Sequence, residues 1–264
     1  MAVKSVFNRI IHPILIGCFF WIACGDIPRD NALDPLNPDS THPRKHLIEA
    51  FVNISDHPSR YNQWMLEALN DLEALYEEDL VIAIYHRDID DYDDVDDSPV
   101  SNTRYNDLYE ALDDEAIRGV PDVFINGTSQ RIQGASDPSV AFDRLQAAVH
   151  EEFSNNHKFY MNVQVSTDMI DLTAAVTLSR LGNQDASNLR IQAMIISEYN
   201  GAYRNHVVQD LEISDTINHL DEGEIKEIQI TGLTIDPSET QSLVIAIMND
   251  EASYAYQAEV IPID

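Results

Sequence analysis

The chain has 264 residues, of which 44% are hydrophobic, so it is long enough and apolar enough to form two globular domains. It carries 46 acidic and 16 basic residues, a formal net charge of -30, which argues against binding to nucleic acid or to an anionic lipid surface. Both cysteines, Cys18 and Cys24, precede residue 25, so the rest of the chain contains no disulfide, cysteine metal ligand or thiol nucleophile.

Residues 1–24 have the pattern of an export signal. A basic start is followed by a fourteen-residue apolar run over residues 10–23, which is short for a membrane span. Cys18 and Cys24 each end a tetrapeptide similar to a lipobox, and Cys24 stands where the apolar run stops. We therefore expect lipidation at Cys24, with Cys18, an ordinary cleaved signal and an uncleaved anchor as alternatives. A lipid on the cysteine would hold the protein on a membrane.

The next segment, residues 25–45, contains four prolines and little apolar periodicity. It is predicted to be a tether that reaches about 60 Å, at roughly 3 Å per residue, beyond the membrane surface. Two domains are predicted after it, over residues 46–155 and 156–264.

Seven elements are predicted in the first of these domains, in the order strand, helix, strand, helix, strand, strand, helix. Apolar periodicity places the strands at 46–53, 80–86, 123–125 and 129–133. Periodicity and capping signals place the helices from Pro58, with Asp56 as N-cap, to about 76, over 102–117, and from Pro138, with Asp137 as N-cap, to about 153.

The stretch 119–127, Gly-Val-Pro-Asp-Val-Phe-Ile-Asn-Gly, lies at the centre of this pattern. The Val120-Pro121 bond can be cis at a cost of only about 0.5 to 1 kcal/mol, and Asn126-Gly127 is a strong hairpin signal. The stretch resembles the cis-proline loop and following strand of the thioredoxin fold. The element order agrees with a complete thioredoxin-like domain.

The resemblance extends to the thioredoxin-like lipoproteins of bacterial outer membranes, in which a Cys-x-x-Cys pair follows the first strand. The same register here places Asp56 and Ser59 at the two cysteine positions. The resemblance therefore implies a redox-inactive scaffold that is not an enzyme. Two alternatives stay open: a non-redox enzyme using Asp56, His57 and Ser59, whose adjacency disfavours a catalytic triad, and a small-ligand or peptide groove beside Pro121.

An acidic loop over residues 88–97 contains seven aspartates. Their mutual repulsion predicts an extended, exposed segment. Asp88, Asp90 and Asp93 have spacing similar to the start of a calcium loop, although the glycine and glutamate that such a loop needs are missing. We interpret the segment as a solvated loop, with a weak divalent-cation site and a docking surface for a basic partner as alternatives. No other cofactor is expected.

From residue 157 the hydrophobic period changes to two, and seven strands with intervening turns predict an immunoglobulin-like β-sandwich. The outer-membrane lipoprotein family has such a sandwich after its first domain, and residues 198–208 resemble one of its strand-turn-strand segments. The predicted fold is thus an α/β thioredoxin-like domain followed by an all-β sandwich. The predicted function is that of an exported binding or structural module of the bacterial envelope, in the outer membrane. Its expected contacts are the membrane, through the lipid, and an envelope protein or peptide.

Overall fold

The computed structural model describes residues 45–55, 60–77, 79–89, 92–112, 117–134, 136–154, 159–181, 186–199, 204–221 and 223–263. Both cysteines, the predicted leader and tether, Asp56, Ser59 and Asp90 lie outside these ranges. In the described residues no helix is both long enough and apolar enough to cross a membrane.

The described fold is mostly β, with three helices and twelve strands. The helices are α1 (Arg60–Leu75), α2 (Pro99–Glu110) and α3 (Pro138–Glu152). The strands are β1 (His46–Val52), β2 (Leu80–His86), β3 (Asp122–Ile125), β4 (Gln130–Gln133), β5 (Phe159–Asp168), β6 (Asp171–Arg180), β7 (Ser187–Glu198), β8 (Val207–Ile213), β9 (Ile217–His219), β10 (Ile225–Thr234), β11 (Thr240–Asn249) and β12 (Ala255–Pro262).

One mixed sheet runs through both halves of the chain. Its order is β12-β11-β7-β8-β2-β1-β3-β4, with β9 paired to β7, and a separate antiparallel sheet has the order β10-β6-β5. The two halves join where β2 and β8 pair in parallel, through Ile84 and Val207, and the Ile84 N–H donates to the His206 carbonyl at 2.8 Å. The predicted domain boundary falls in 155–158, outside the described ranges, but strands from both sides of it belong to one sheet.

Three apolar cores lie between the layers. The outer core packs α1 and α3 on one face of β1–β3, and the far core packs the antiparallel sheet on β7 and β11. The middle core lies on the other face of β1 and β2, under α2, and draws residues from both halves. Its largest contributors include Leu47, Phe51, Tyr85, Tyr105, Phe124, Met194, Ile196, Val208 and Val244. Because β1 and β2 are covered on both faces, they are continuously apolar apart from a few paired polar residues.

The hairpin predicted at Asn126-Gly127 is found, since β3 and β4 pair in antiparallel fashion and both residues have positive φ. Its connection spans four residues, 126–129, and not the two that the Asn-Gly pair predicts. Glycine is required at 127, because a Cβ there would lie 2.1 Å from the Ser253 carbonyl oxygen. The predicted start of α3 is also confirmed, since the Asp137 side chain accepts the Val140 N–H at 3.0 Å and Pro138 begins the helix.

The predicted helix over 102–117 is wrong at both ends. Helix α2 begins at Pro99, with Ser98 as its N-cap, and ends at Glu110. Ser98-Pro99 is the same start signal as Asp137-Pro138, but the apolar spacing alone begins later. In the second half, eight strands are described where seven were predicted, because the three-residue strand β9 is too short to show a period.

A buried ion pair ties the middle core together. The Arg104 guanidinium donates twice to the Glu49 carboxylate, at 2.7 and 2.6 Å, and both side chains are almost completely buried. Glu49 also accepts from the Tyr85 hydroxyl at 3.0 Å and from Gln192 at 3.2 Å. Arg104 reaches the Ala252 carbonyl at 2.6 Å, so the network connects β1, α2 and the second half of the chain.

A second ionic contact between the halves is centred on His206. Its Nε2 lies 2.8 Å from a carboxylate oxygen of Glu73 on α1, and its Nδ1 lies 2.8 Å from one of Glu198 on β7. Burial alone would lower the pKa of His206, but hydrogen bonds to these two carboxylates outweigh it and raise the pKa to about 9.

Because its folded pKa is raised, His206 should stabilise the fold fully below its unfolded pKa of about 6.5, and this contribution should be lost as the pH rises through 9. Both carboxylate partners are 37% exposed, so solvent screening limits the expected effect to about 1 to 2 kcal/mol. Urea unfolding at pH 6.5 and 9.5 should show this loss in the wild type and not in the variant His206→Asn. Asparagine is chosen because it tolerates the positive φ of the backbone at position 206. The exposed His219→Gln should behave like the wild type; equal pH dependence in all three proteins would contradict the assignment.

Candidate functional site

A cleft lies at the sheet edge where the carboxyl ends of β1 and β2 meet the start of β3. In the register of the sheet, Phe51 of β1 is opposite Tyr85 of β2 and Asp122 of β3. The Val120–Pro121 peptide, which is cis, comes directly before β3. The fold therefore brings the predicted Pro121 loop beside the residues that follow β2. In open α/β sheets this carboxyl edge is a preferred place for ligands.

The cleft has a volume of about 260 Å³. We call it the Pro121 cleft. Residues directly after β2, one tyrosine of α2 and the loop before Pro121 line it: Arg87, Asp88, Ile89, Tyr105, Arg118, Gly119 and Val120. Pockets for small molecules usually have about 300 to 1,000 Å³, so this cleft suits a very small ligand or one group of a larger ligand.

Helix α2 holds the loop before Pro121 in place through two tyrosines. The Tyr105 hydroxyl donates to the Gly119 carbonyl and accepts the Gly119 N–H, both at 2.9 Å. Arg131 of β4 donates to the Ile117 carbonyl at 2.7 Å, and the Tyr109 hydroxyl oxygen lies 2.8 Å from the same carbonyl oxygen. The loop backbone is thus fixed from two sides, which makes this wall of the cleft pre-formed.

Asp122 lies beneath the loop and is completely buried. Its carboxylate accepts from the Tyr109 hydroxyl at 2.6 Å and from the Nε of Arg131 at 2.9 Å. Burial raises the pKa of Asp122, although the hydrogen bonds and charge of Arg131 partly offset the shift. All of its contacts support the loop, so this carboxylate is a positioning group and not a ligand contact.

Two arginines of the cleft lie over tyrosine rings. The guanidinium carbon of Arg87 is 3.9 Å from the centre of the Tyr105 ring, and that of Arg118 is 4.8 Å from the centre of the Tyr109 ring. Arg118 also donates to the Asn106 side chain. The Arg87 guanidinium makes no hydrogen bond or ion pair with the described part of the chain, and its Nε is buried without a partner. Burial, together with the positive charge of Arg118, lowers the pKa of Arg87.

Beside the cleft, the described residues of the acidic loop agree only in part with the exposed form that repulsion predicts: Asp88 and Asp93 are exposed, but Asp94 is not. Asp94 is buried, and its carboxylate accepts the Ile54 N–H at 2.6 Å and the Asp96 N–H at 3.1 Å. The ring Nδ1 of His86 lies 3.2 Å from both Asp94 oxygens, and the Asp88 side chain accepts the Asp94 N–H at 2.6 Å. Backbone donors and one histidine thus offset the repulsion and fold the loop onto the end of β2.

The predicted cation ligands are not brought together in the described residues. Asp93 is exposed, Asp88 is bonded to backbone, and Asp90 lies outside the described ranges. A different group, His86, Asp94 and Asp96, has potential ligand atoms within 4.8 Å of one another. Asp96 is paired there with Arg204, whose Nε lies 2.6 Å from its carboxylate, and Asp94 already holds two N–H groups, so this group is poorly suited to a metal. Cation binding stays a prediction that calorimetry with millimolar calcium or magnesium tests.

Replacing Asp94 with alanine should lower the free energy of unfolding by about 1 to 3 kcal/mol, because it leaves the half-buried Ile54 N–H and the buried His86 ring without this partner. Urea denaturation at pH 7 measures this change. Asp93→Ala is the matched control, since Asp93 is exposed in the same loop and should change stability by less than about 0.5 kcal/mol. Equal effects of the two substitutions would show that the loop is not folded by Asp94.

Sequence patterns indicate the Pro121 loop but not Arg87, Arg118 or Tyr105 as parts of a site. Each stands next to a predicted element: Arg87 directly after the second strand, Arg118 three residues before Pro121, and Tyr105 on the apolar side of a helix. The sequence signal that could have indicated Arg87 and Arg118 is the presence of arginines at a sheet edge in a strongly acidic chain. The degenerate redox positions Asp56 and Ser59 lie outside the described residues, between the end of β1 and the start of α1.

No protein-family model matches the sequence, and no curated protein sequence matches it. Solved structures do. HBP35 of Porphyromonas gingivalis is similar with a TM-score of 0.60 at 14% identity, over 85% of this chain and 76% of that chain. A structural-genomics protein of Agrobacterium tumefaciens is similar with a TM-score of 0.54 at 16% identity, over 83% of this chain and 95% of that chain.

At these identities the likeness shows the fold alone, but it covers both halves of the chain. The arrangement of a mixed sheet with an added antiparallel sheet therefore also occurs in proteins from two bacterial species. A domain of the outer membrane lipoprotein Omp28 from Porphyromonas gingivalis is also matched, at 12% identity over 41% of this chain and 89% of that chain. Its TM-score of 0.28 is too low to support a shared arrangement.

Proposed function

We propose that the chain is a redox-inactive, thioredoxin-like binding module of the bacterial cell envelope, and that it holds its ligand in the Pro121 cleft. The observation that carries this proposal is the pre-formed cleft at the carboxyl edge of the sheet, with two arginines that have no carboxylate partner among the described residues. The second half, which we propose to be immunoglobulin-like, completes the fold by covering the other side of the middle core.

The Arg87 side chain distinguishes a binding role from a purely structural one. The Arg87 Nε is buried without a hydrogen-bond partner in the described residues, which costs stability that the stacking on Tyr105 offsets only in part. Departures of this kind from good local packing are expected at functional sites, where a ligand supplies the missing contacts. A scaffold protein without a ligand would gain stability by replacing Arg87 with an apolar residue.

We also propose that the cleft catalyses no reaction. The only cysteines are Cys18 and Cys24, before the folded part, so the mature body has no thiol for disulfide exchange. The Tyr105 hydroxyl, which borders the cleft, is occupied by the Gly119 backbone and does not serve as a general base. We therefore expect no reduction of insulin disulfides by the purified protein.

The envelope location follows from the sequence pattern of the leader. Lipidation at Cys24 would place the tether 25–45 between the membrane and the fold. We propose an outer-membrane lipoprotein on this basis.

Site-specific photo-crosslinking in cells that express the full chain tests the proposal. A benzophenone amino acid at Ile89, which lines the Pro121 cleft, should give a light-dependent adduct with an envelope molecule. The same group at Ile225, which is exposed on β10 of the antiparallel sheet, is the matched control and should give none. No adduct at Ile89, or the same adducts at both positions, would contradict a ligand in the cleft.

A further inference from the structure

The described arginines differ in their contacts. Four of them, at 104, 131, 190 and 204, each form an ion pair with an aspartate or glutamate, and Arg144 donates to backbone carbonyls. Arg87 and Arg118 form no ion pair with the described residues, and both lie over tyrosine rings. Tertiary packing has thus placed two cations in one cleft without a carboxylate at ion-pair distance among those residues.

The two guanidinium groups face one shared ring. Their central carbons lie 3.9 Å and 6.0 Å from the centre of the Tyr105 ring. Stacking on an aromatic face fixes the plane of a guanidinium and leaves the N–H groups at its edge free to donate. The Tyr105 ring is itself fixed by the bonds between its hydroxyl and Gly119, so the cationic groups are pre-organised.

The described lining of the cleft is opposite in charge to the whole chain. It contains two arginines and one carboxylate, that of Asp88, in a chain with a net charge of -30. The Asp88 carboxylate accepts the Asp94 N–H at 2.6 Å and is not paired with either arginine. Asp97, whose charge also attracts Arg87, accepts the Asp88 N–H at 3.0 Å. The described lining therefore favours a small anionic group.

We propose that the ligand of the Pro121 cleft carries an oxyanion, a carboxylate or a phosphate group, that binds between Arg87 and Arg118. This inference rests on the proposed function, because it names the group that the cleft holds. Both kinds of oxyanion match the fork of N–H donors on a guanidinium, and such charge-assisted bonds are about twice as strong as neutral ones. An anion also relieves the repulsion between the two arginines.

NMR titration of the folded protein with inorganic phosphate, at constant ionic strength set by chloride, tests the inference. The Gly119 amide and the Arg87 Nε–H signals should shift to saturation. Arg118→Gln should weaken phosphate binding about tenfold or more, because it removes one of the two cations. Arg144→Gln is the matched control: Arg144 is also exposed but bonds the carbonyls of Gln133 and Gly134, so its loss should leave binding unchanged.

Absent or non-saturating shifts with both phosphate and acetate, or equal effects of the two substitutions, would overturn the oxyanion proposal. Unchanged backbone spectra of Arg118→Gln away from the cleft show that the variant is folded.

Acetate in place of phosphate distinguishes the two sources: tighter acetate binding identifies a carboxylate, and tighter phosphate binding identifies a phosphate group. A neutral capped peptide separates the two proposals, since saturation by that peptide alone would remove the oxyanion and keep the ligand cleft. No response to any probe, together with no crosslink at Ile89, would remove both.

Discussion

Replacing Arg104 with alanine should lower the free energy of unfolding by about 3 to 5 kcal/mol, because it leaves the Glu49 carboxylate buried without its cation. Neither side chain of the pair is more than 1% exposed, so water does not replace the lost donors. The Tyr85 hydroxyl and Gln192 would stay as the remaining donors to Glu49. Chemical denaturation at pH 7 measures the change.

The pair Arg190 and Asp250 provides the matched control, since its side chains are 36% and 48% exposed. Arg190→Ala should change stability by less than about 1 kcal/mol. The double variant Glu49→Gln with Arg104→Met should recover much of the loss, because it removes both buried charges together. If Arg104→Ala were no more destabilising than Arg190→Ala, the buried network would not hold the middle core together.

A fragment that ends at residue 155 should show no cooperative unfolding transition. In the full chain one face of β1 and β2 packs against β7, β8 and β11, so the fragment would expose Leu47 and Phe51 to water. Glu49 and Arg104 would at the same time lose Gln192 and the Ala252 carbonyl. Thermal melting followed by circular dichroism, with NMR spectra at 25 °C, would reveal a collapsed state without fixed packing.

Residues 45–264, which keep the whole described fold, are the control for this fragment. They should unfold in a single transition, because both halves share a sheet and a core. Two separate transitions in residues 45–264, or a well-dispersed native spectrum from the fragment, would show that the halves are independent domains.

Local signals in the sequence were sufficient for much of the fold. The paired turn residues Asn126-Gly127 and the helix start Asp137-Pro138 act over a few residues, and both are found where they were predicted. The pairing of β2 with β8 was not predictable, because Ile84 and Val207 are far apart in the chain and either strand could have been an edge. Hydrophobic period identifies a strand but not its neighbour.

The candidate site was also predictable only where local sequence signals define it. The Pro121 loop was found because a proline before a short apolar strand is a local pattern. Arg87 and Arg118 were not found, because only the tertiary packing decides whether an arginine has a carboxylate beside it. The sequence does not show which arginines are left without such a partner. Glu49 was a clearer signal: one glutamate within an apolar strand requires a buried donor, which the structure shows to be Arg104.

The most direct test of a ligand in the Pro121 cleft is native mass spectrometry of the protein isolated in mild detergent from the cells that produce it. We expect an added mass on the wild-type chain that Arg144→Gln retains and Arg118→Gln loses. An added mass retained equally by Arg118→Gln, or no added mass on the wild-type chain under conditions that keep non-covalent complexes intact, would contradict a ligand held by the cleft arginines.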